Sequence, residues 1–186
     1  MPRNPSQSCL GGRVLILEGD ITAQPVDAIV NAANPMLYPG GGVSGAIHHA
    51  AGPELGRACE SIRSQSHPEG VPTGEAVATP GFGLPARHVI HVVGPRWGQH
   101  GGREAELLAA CYRNALRLAR ELGAESIAFP AISTGIYGYP PEEAARVASV
   151  AIREDLGAHE HPRQVRVVLH GESSLRTFIE HARFVD

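Results

Sequence analysis

The sequence predicts an α/β domain with a largely parallel sheet that helices cover on both faces. Short apolar runs of strand length alternate with segments in which apolar residues recur every three or four positions. The runs are continuously apolar, as is typical of strands that are buried on both faces. No internal repeat or linker divides the 186 residues, so we expect a single folding unit.

The strands are predicted from apolar runs that Gly, Pro, Asn or Asp mostly bound. These runs are residues 13–17, 28–33, 76–79, 88–93, 126–129 and 165–169. The first of them, VLIL at residues 14–17, is the plainest example. Residues 1–12 carry Pro, Asn, Ser, Gln and a Gly pair, and we expect them to be a flexible start. The single domain is therefore predicted to span residues 13–186.

Five helices are predicted from the periodicity of apolar residues. They are residues 43–51 (starting at Val43 or Ser44), 54–64, 103–122, 140–156 and 175–183. Gly123 follows the longest helix in the position that ends helices most often. The fourth helix begins with Pro and two Glu, which favour a helix N-terminus.

The composition excludes several classes of function. All 16 basic residues are Arg, so lysine-dependent chemistry (Schiff bases, Walker-type loops and kinase-type nucleotide sites) is ruled out. A net charge of −3 and scattered Arg argue against a broad nucleic-acid-binding face. Three cysteines without CxxC spacing predict neither a disulfide framework nor a zinc site. No apolar run has the length of a signal peptide or membrane span, and we expect a cytoplasmic protein without a membrane partner.

Two glycine-rich loops each follow a predicted strand, GGGVSG at residues 40–45 and STGIYG at residues 133–138. Ligands of open α/β sheets collect outside the carboxyl ends of the strands. Glycines there let backbone N–H groups approach a phosphate, and a following helix N-terminus adds a favourable dipole. The two loops together could hold a diphosphate without any side-chain cation; the alternative is a pair of ordinary loops.

The spacing Gly40-x-Gly42-x-x-Gly45 formally matches a dinucleotide-binding fingerprint. That fingerprint begins at the end of a strand, with an acid about 20 residues further on. Here residues 31–39 separate the strand core from Gly40, and the next acids, Glu54 and Glu60, fall in a helical pattern. A Rossmann-type redox enzyme is therefore disfavoured, whereas a nucleotide diphosphate ligand is not.

The sequence resembles the macrodomain family of ADP-ribose-binding modules. The resemblance is carried, in family order, by EGDIT at residues 18–22, DAIVNAAN at 27–34, GGGVSG at 40–45, HVVGP at 91–95 and PAISTGIYG at 130–138. It covers roughly residues 14–178 and implies a three-layer α/β/α sandwich around a mixed, mostly parallel sheet.

The resemblance implies roles for residues at both ends of the ligand. Asp20 would accept the adenine amino group, Ile21 would contact the base through its backbone, and Leu169 would line the adenine face. Asn34 would bind the distal ribose, since an amide both donates and accepts hydrogen bonds. Read locally, Asp20 is equally suited to cap a helix or form an Asx turn, and Asn34 to form a turn before Pro35.

The two glycine-rich loops are implied to bind the diphosphate. The residues concerned are Gly41, Gly42 and Val43 in the first loop and Ser133, Thr134, Gly135, Ile136 and Tyr137 in the second. Tyr137 would in addition form a wall of the distal-ribose site; the alternative is ordinary partial burial.

Ser44 departs from the pattern of the MacroD-type hydrolases, which carry Asp at this position, ten residues after the asparagine that Asn34 matches. A neutral hydroxyl is not a general base at neutral pH without help. Other macrodomain branches with a small residue here include active hydrolases, in which the resemblance implies help from the substrate's phosphate. The alternative for Ser44 is a helix N-cap. His48, one turn later, matches a MacroD-type histidine that could orient a ribose hydroxyl or a water, or else is a hydrogen-bonded or exposed histidine.

The resemblance implies a hydrolase that removes mono-ADP-ribose from acidic residues of proteins, deacetylates O-acetyl-ADP-ribose, or does both. Its catalytic residues would be Asn34, Ser44, His48 and Tyr137. The alternative is a reader that binds ADP-ribose without turnover, which the Ser44 departure favours. No cofactor and no metal are implied. The expected partners are ADP-ribose, mono-ADP-ribosylated proteins, and nucleic acids only where these are ADP-ribosylated, with the chain a monomer.

Overall fold

The computed structural model describes residues 6–185, which form one sheet of seven strands and five helices. The strands are β1 (Ser6–Cys9), β2 (Val14–Glu18), β3 (Ala28–Ala32), β4 (Ala76–Pro80), β5 (His88–Val92), β6 (Ser126–Phe129) and β7 (Gln164–Leu169). The helices are α1 (Gly42–Ala51), α2 (Pro53–Gln65), α3 (Glu104–Glu121), α4 (Pro141–Ala158) and α5 (Glu172–His181).

The sheet is mixed and mostly parallel, as predicted. Its strand order is β1-β2-β7-β6-β3-β5-β4, with β1 antiparallel to β2, β4 antiparallel to β5 and every other neighbouring pair parallel. The carboxyl ends of β2, β7, β6, β3 and β5 therefore lie along one edge of the sheet.

Helices cover both faces of the sheet, which confirms the predicted three layers. In β3, Ala28 and Val30 pack in the core under α3, α4 and α5, whereas Ile29 packs with Ile47 and Leu55 of α1 and α2. This alternation follows from the two-residue period of a strand. The central strands are buried on both faces, and this is why their sequences read as continuous apolar runs.

The start of the chain differs from the prediction. Residues 6–12, which we expected to be flexible, contain β1 and a 3-10 turn, Leu10–Gly12. β1 pairs with β2 from Ser6 opposite Leu17 to Cys9 opposite Val14. Its sequence, SQSC, is polar and mostly exposed, so it carries no apolar signal, and its pairing uses the backbone. The first part of the predicted flexible segment, residues 1–5, lies outside the described residues.

Gly45 allows the first glycine-rich loop to pack closely against α1. A Cβ atom at Gly45 would overlap the carbonyl oxygen of Gly40, because the loop folds back over the first turn of the helix. The Gly45 N–H donates to the carbonyl of Gly41 at 3.3 Å. Only glycine fits this close approach of backbone to backbone.

We predict that Gly45→Ala destabilises the protein by about 1–3 kcal/mol, because the overlap is with backbone and the loop must move. Gly56→Ala is the matched control, since Gly56 lies in α2 with open space where its Cβ would be. That change is expected to stabilise by up to about 1 kcal/mol through helix propensity. Urea unfolding measures both, and equal effects of the two substitutions would contradict this account.

Candidate active site

The predicted site residues follow the ends of neighbouring parallel strands. Asp20 follows β2, Leu169 ends β7, the 133–138 loop follows β6 and Asn34 follows β3. Because adjacent strands lie about 4.8 Å apart, the ends of β2 and β3 are separated by about 14 Å. The residues thus form a row that suits an elongated ligand lying across the strand ends.

The first loop leads into the N-terminus of α1 and presents unpaired backbone donors. Gly41 is the N-cap residue, without a side-chain capping bond, and Gly42 takes a left-handed φ of 56°. Within residues 6–185, the N–H groups of Gly42, Val43 and Ser44 donate no hydrogen bond. The first turn of a helix leaves such groups free, and together with the helix dipole they favour an anion.

The second loop presents unpaired donors in the same way. Ser133 has a φ of 67°, and its carbonyl accepts a hydrogen bond from the Tyr139 N–H at 3.0 Å, which closes the loop. The N–H groups of Gly135, Ile136 and Tyr137 donate to no acceptor among the described residues. Since β6 and β3 are parallel neighbours, the segments that follow them leave the sheet at the same edge, where the free donors of both loops can converge on one anionic group.

Asp20 caps a 3-10 turn and still has a free oxygen. Its Oδ1 accepts from the Thr22 N–H at 2.9 Å and from the Thr22 hydroxyl at 2.7 Å, so the local capping role is present. Oδ2 accepts no hydrogen bond from the described residues. Because Asp20 is exposed, this second oxygen remains available to an external donor. Ile21, directly after it, is buried.

Asn34 fastens a turn without using all of its amide. Its Nδ2 donates to the Tyr38 carbonyl at 2.8 Å and its Oδ1 accepts from the Tyr38 N–H at 3.0 Å. The turn that we considered as the alternative role is therefore present. One side-chain N–H and one lone pair remain free, and the partly exposed side chain can offer both to a ligand.

Ser44, His48 and Ser133 carry buried polar atoms that lack partners. Ser44 Oγ, His48 Nε2 and Ser133 Oγ are buried, and none hydrogen-bonds to a described residue. Each such group costs about 1–3 kcal/mol when it is left unsatisfied, which favours a polar ligand here. Burial also lowers the pKa of His48, so its imidazole is neutral at neutral pH.

The alternative roles of Ser44 and His48 are not supported. Gly41 is the N-cap residue of α1, and Ser44 lies in the third helical position, so the prediction of Ser44 as a possible N-cap is wrong. His48 lies one turn further along the same helix, and its buried, unpaired Nε2 makes it neither hydrogen-bonded through that atom nor fully exposed.

Tyr137 lies in a loop that is fastened across the end of β3. Its carbonyl accepts from the Trp97 N–H at 2.8 Å, and the Arg96 guanidinium lies 4.3 Å from the centre of its ring. Arg96 and Trp97 follow β5, and β3 lies between β6 and β5 in the sheet. The loop after β6 therefore passes over the strand end from which Asn34 projects. Ile136, at the loop's tip, is 94% exposed.

Leu169 does not join the row through its side chain. It is 2% exposed and packs in the core under α3, α4 and α5, where it lines a cavity of about 90 Å³ with Thr134 and Phe178.

A larger groove of about 520 Å³ lies between α3 and α4 and is lined by the ion pairs Arg113–Glu154 and Arg120–Asp155. These residues lie towards the C-terminal ends of both helices, away from the carboxyl edge of the sheet.

Sequence reasoning missed a buried polar chain beneath α1. Asn31 Nδ2 donates to His91 Nδ1 at 3.1 Å, so the opposite ring nitrogen, Nε2, carries the proton and donates to Thr79 Oγ1 at 3.0 Å. Burial, with a smaller contribution from His48, lowers the pKa of His91 to about 3. The signal was the presence of Asn and His inside otherwise apolar strands, in motifs that we used only for the resemblance.

Three further features bear on ligands and environment. Among residues 6–185, no group of three or more His, Cys, Asp or Glu is arranged to hold a metal ion. Cys9, Cys59 and Cys111 are free thiols. None of the helices described is both long enough and apolar enough to cross a membrane.

The family model of the Macro domain matches residues 30–148, which include Asn34, both glycine-rich loops and Tyr137. The chain belongs to the macrodomain family. An O-acetyl-ADP-ribose deacetylase of Citrobacter rodentium is 50% identical over 171 residues, which cover 91% of this chain and 94% of that protein.

Solved macrodomains share the fold over nearly the whole chain. A macrodomain of Oceanobacillus iheyensis with ADP is 46% identical, with a TM-score of 0.90, and the match covers 96% of this chain and 94% of that one. A Trypanosoma brucei macrodomain in complex with ADP-ribose is 39% identical, with a TM-score of 0.82, over 91% of this chain and 68% of that one. The match therefore extends over the strand ends that carry the candidate site.

We predict that His91 makes the stability of this macrodomain depend on pH. Its pKa falls from 6.5 in the unfolded chain to about 3 in the fold, so only the unfolded chain takes up this proton between those values. The contribution of the neutral His91 to the free energy of unfolding is complete above pH 6.5 and is lost as the pH falls towards 3. His91→Gln is expected to flatten the slope of unfolding free energy against pH by up to about 1.4 kcal/mol per unit.

Urea unfolding from about pH 7 to about pH 4 measures this slope. His49→Gln, which changes an exposed histidine of α1, is the control and should leave the slope nearly unchanged. If the His91 variant has the wild-type slope of unfolding free energy against pH, the inference that His91 is buried and neutral in the fold is wrong.

Proposed function

We propose that this macrodomain binds ADP-ribose, hydrolyses mono-ADP-ribose from acidic residues of proteins and deacetylates O-acetyl-ADP-ribose. One observation carries the proposal: two neighbouring loops direct unpaired backbone N–H groups to the same sheet edge, beside the buried and unpaired polar atoms of Ser44, His48 and Ser133. Relatives named O-acetyl-ADP-ribose deacetylase and solved macrodomains with ADP-ribose support the same ligand.

In the proposed complex the ligand lies along the row of strand ends. The free Oδ2 of Asp20 accepts the adenine amino group, about 14 Å from the end of β3. The backbone donors of both loops hold the diphosphate in a preorganised arrangement that needs no lysine. Asn34 and Tyr137 hold the distal ribose. Leu169 is left to support the adenine end from below, since its side chain is buried.

For removal of mono-ADP-ribose, the proposed reaction is an attack by water on the anomeric carbon of the distal ribose. The water oxygen bonds to that carbon while the bond to the acyl oxygen of the modified residue breaks, and the carboxylate departs. In deacetylation the water instead attacks the acetyl carbonyl carbon, and the ribose hydroxyl and acetate are the products. The proton of the water passes to a phosphate oxygen of the ligand. The Ser44 hydroxyl and the neutral His48 imidazole orient the water and a ribose hydroxyl, since neither is a strong base there.

A reader of ADP-ribose without turnover is the second candidate, and the hydroxyl of Ser44 in place of a carboxylate favours it. The two differ in one experiment, in which a mono-ADP-ribosylated protein is incubated with this chain and free ADP-ribose is followed. Release supports the hydrolase, whereas calorimetric binding without release leaves the reader.

The proposal also includes a monomeric chain in the cytoplasm, a compartment that the free cysteines favour.

We predict that Ser44→Asp increases the rate of ADP-ribose release at least about tenfold, because a carboxylate can act as a general base. Ser44 is 6% exposed, and burial would raise the pKa of the new carboxyl towards neutrality, where bases work best. Ser44→Ala is the matched control and should not accelerate the reaction. An aspartate variant that binds ADP-ribose normally and is no faster than wild type would show that this carboxylate is not the limiting group.

We predict that Asn34→Ala weakens ADP-ribose binding about tenfold, because it removes the ribose contact and releases the turn at Tyr38. Asn114→Ala is the control, since the Asn114 amide donates to the Gly74 carbonyl at 2.7 Å on a distant helix. Calorimetry with ADP-ribose measures both. Unchanged affinity and turnover in Asn34→Ala would remove Asn34 from the site.

A further inference from the structure

An arginine stacks on each of the two tyrosines that border the proposed distal-ribose end. The Arg63 guanidinium lies 4.4 Å from the ring centre of Tyr38, and Arg63 Nη1 also donates to the Met36 carbonyl at 2.9 Å. The Arg96 guanidinium lies 4.3 Å from the ring centre of Tyr137. Tyr38 belongs to the turn that Asn34 closes, so each loop of the site carries one arginine–tyrosine stack.

Neither arginine is neutralised by a carboxylate of the part of the chain that the structure describes. Arg63 and Arg96 form no ion pair there, and Glu104, which follows the loop of Arg96, accepts from the His100 N–H instead. Most other arginines are paired with acids. The paired ones are Arg87, Arg103, Arg113, Arg117, Arg120, Arg146, Arg163 and Arg176. A positive charge is therefore retained on both sides of this end of the site.

The position of the two arginine–tyrosine stacks indicates which part of the substrate would lie beside them. If Asp20 holds the adenine, the bond to the modified residue lies at the opposite end, beyond Asn34. The polypeptide that carries the modification must leave the site there, beside Tyr38 on one loop and Tyr137 on the other. Stacking on a tyrosine holds each guanidinium in place without using its N–H donors in the plane of the group.

We propose that Arg63 and Arg96 form a two-arginine clamp that binds an acidic polypeptide segment flanking the ADP-ribosylated residue. The proposal rests on the proposed function and specifies its substrate class. Charge complementarity carries it, since two unneutralised guanidinium groups fit carboxylates at short range. A nucleic acid is less suited, because binding its backbone calls for many cations and this chain has a net charge of −3.

The expected size of the effect follows from the contact of both arginines with solvent, since Arg96 is exposed and Arg63 is partly exposed. Exposed charge pairs contribute modestly and are screened by salt. Two such pairs correspond to a preference of about fivefold to tenfold for an acidic over a neutral flank at low ionic strength. High salt should reduce this preference.

The test uses two mono-ADP-ribosylated peptides with a hydrolysis-resistant linkage, one with Glu and Asp around the modified position and one with Gln and Asn. Their dissociation constants are compared for the wild type and for the double variant Arg63→Met, Arg96→Met, in which the unbranched side chain keeps its contact with the ring. We expect the acidic peptide to bind about fivefold to tenfold more tightly to the wild type and the preference to be lost in the double variant.

Two matched variants separate the clamp from general effects. Arg163→Gln removes the same kind of charge at the opposite edge of the sheet, where Arg163 precedes β7, and should keep the preference. Arg63→Lys with Arg96→Lys retains both charges but not the planar, stacked guanidinium groups, and should therefore keep only part of the preference.

Equal affinity of the wild type for the two peptides, or a preference that survives in the methionine variant, overturns the clamp. Tighter binding of an ADP-ribosylated oligonucleotide than of the acidic peptide, lost in the same variant, also overturns it in favour of a nucleic-acid site. Free ADP-ribose serves as the separate probe of the proposed function. If it binds to the wild type and the peptides are not distinguished, only the clamp fails; if it does not bind, the proposed function fails.

Discussion

The parallel pairing of β3 with β6 is the constraint on which the candidate site depends. Because these strands run in the same direction, the segments that follow them leave the sheet at the same edge. Each loop contributes backbone N–H groups that no described residue accepts, and neither needs a side-chain cation. A chain without lysine can hold a diphosphate in this way, provided that the backbone is held in the conformations that expose these donors. The left-handed backbone at Gly42 and Ser133 and the close approach of Gly45 to Gly40 maintain those conformations.

The chemistry of the site is polar but weakly basic. The residues nearest to the proposed reaction are a buried serine and a histidine that burial keeps neutral. Such groups orient a water well and remove its proton poorly, so the ligand's own phosphate is the base in the proposed reaction. Positive charge is provided instead by the arginines stacked over Tyr38 and Tyr137. The buried Ser44 and His48 would thus take part in the reaction, whereas Arg63 and Arg96 would bind the polypeptide.

Most of the fold was predictable because the spacing of apolar residues along the sequence reflects which side chains are buried. The runs at residues 126–129 and 165–169 became β6 and β7 within one residue, and the long periodic segment became α3. β1 was missed because its polar residues pair through the backbone, and α5 begins at Glu172, before the first apolar residue that indicated a helix. The positions of the candidate loop residues at the strand ends were predictable from motif resemblance, whereas the burial of Leu169 under α3, α4 and α5 was not. Contacts such as Arg63 on Tyr38 and the chain from Asn31 through His91 to Thr79 join residues far apart in sequence, and only the assembled sheet brings them together.

An amide-detected NMR titration of the ¹⁵N-labelled protein with ADP-ribose tests whether the backbone donors of the two loops bind the diphosphate. We expect the largest shifts at the backbone N–H groups of Gly42, Val43 and Ser44 and of Gly135, Ile136 and Tyr137, because these are the donors without an internal acceptor. Shifts confined to the groove between α3 and α4, with both loops unperturbed, would contradict this expectation.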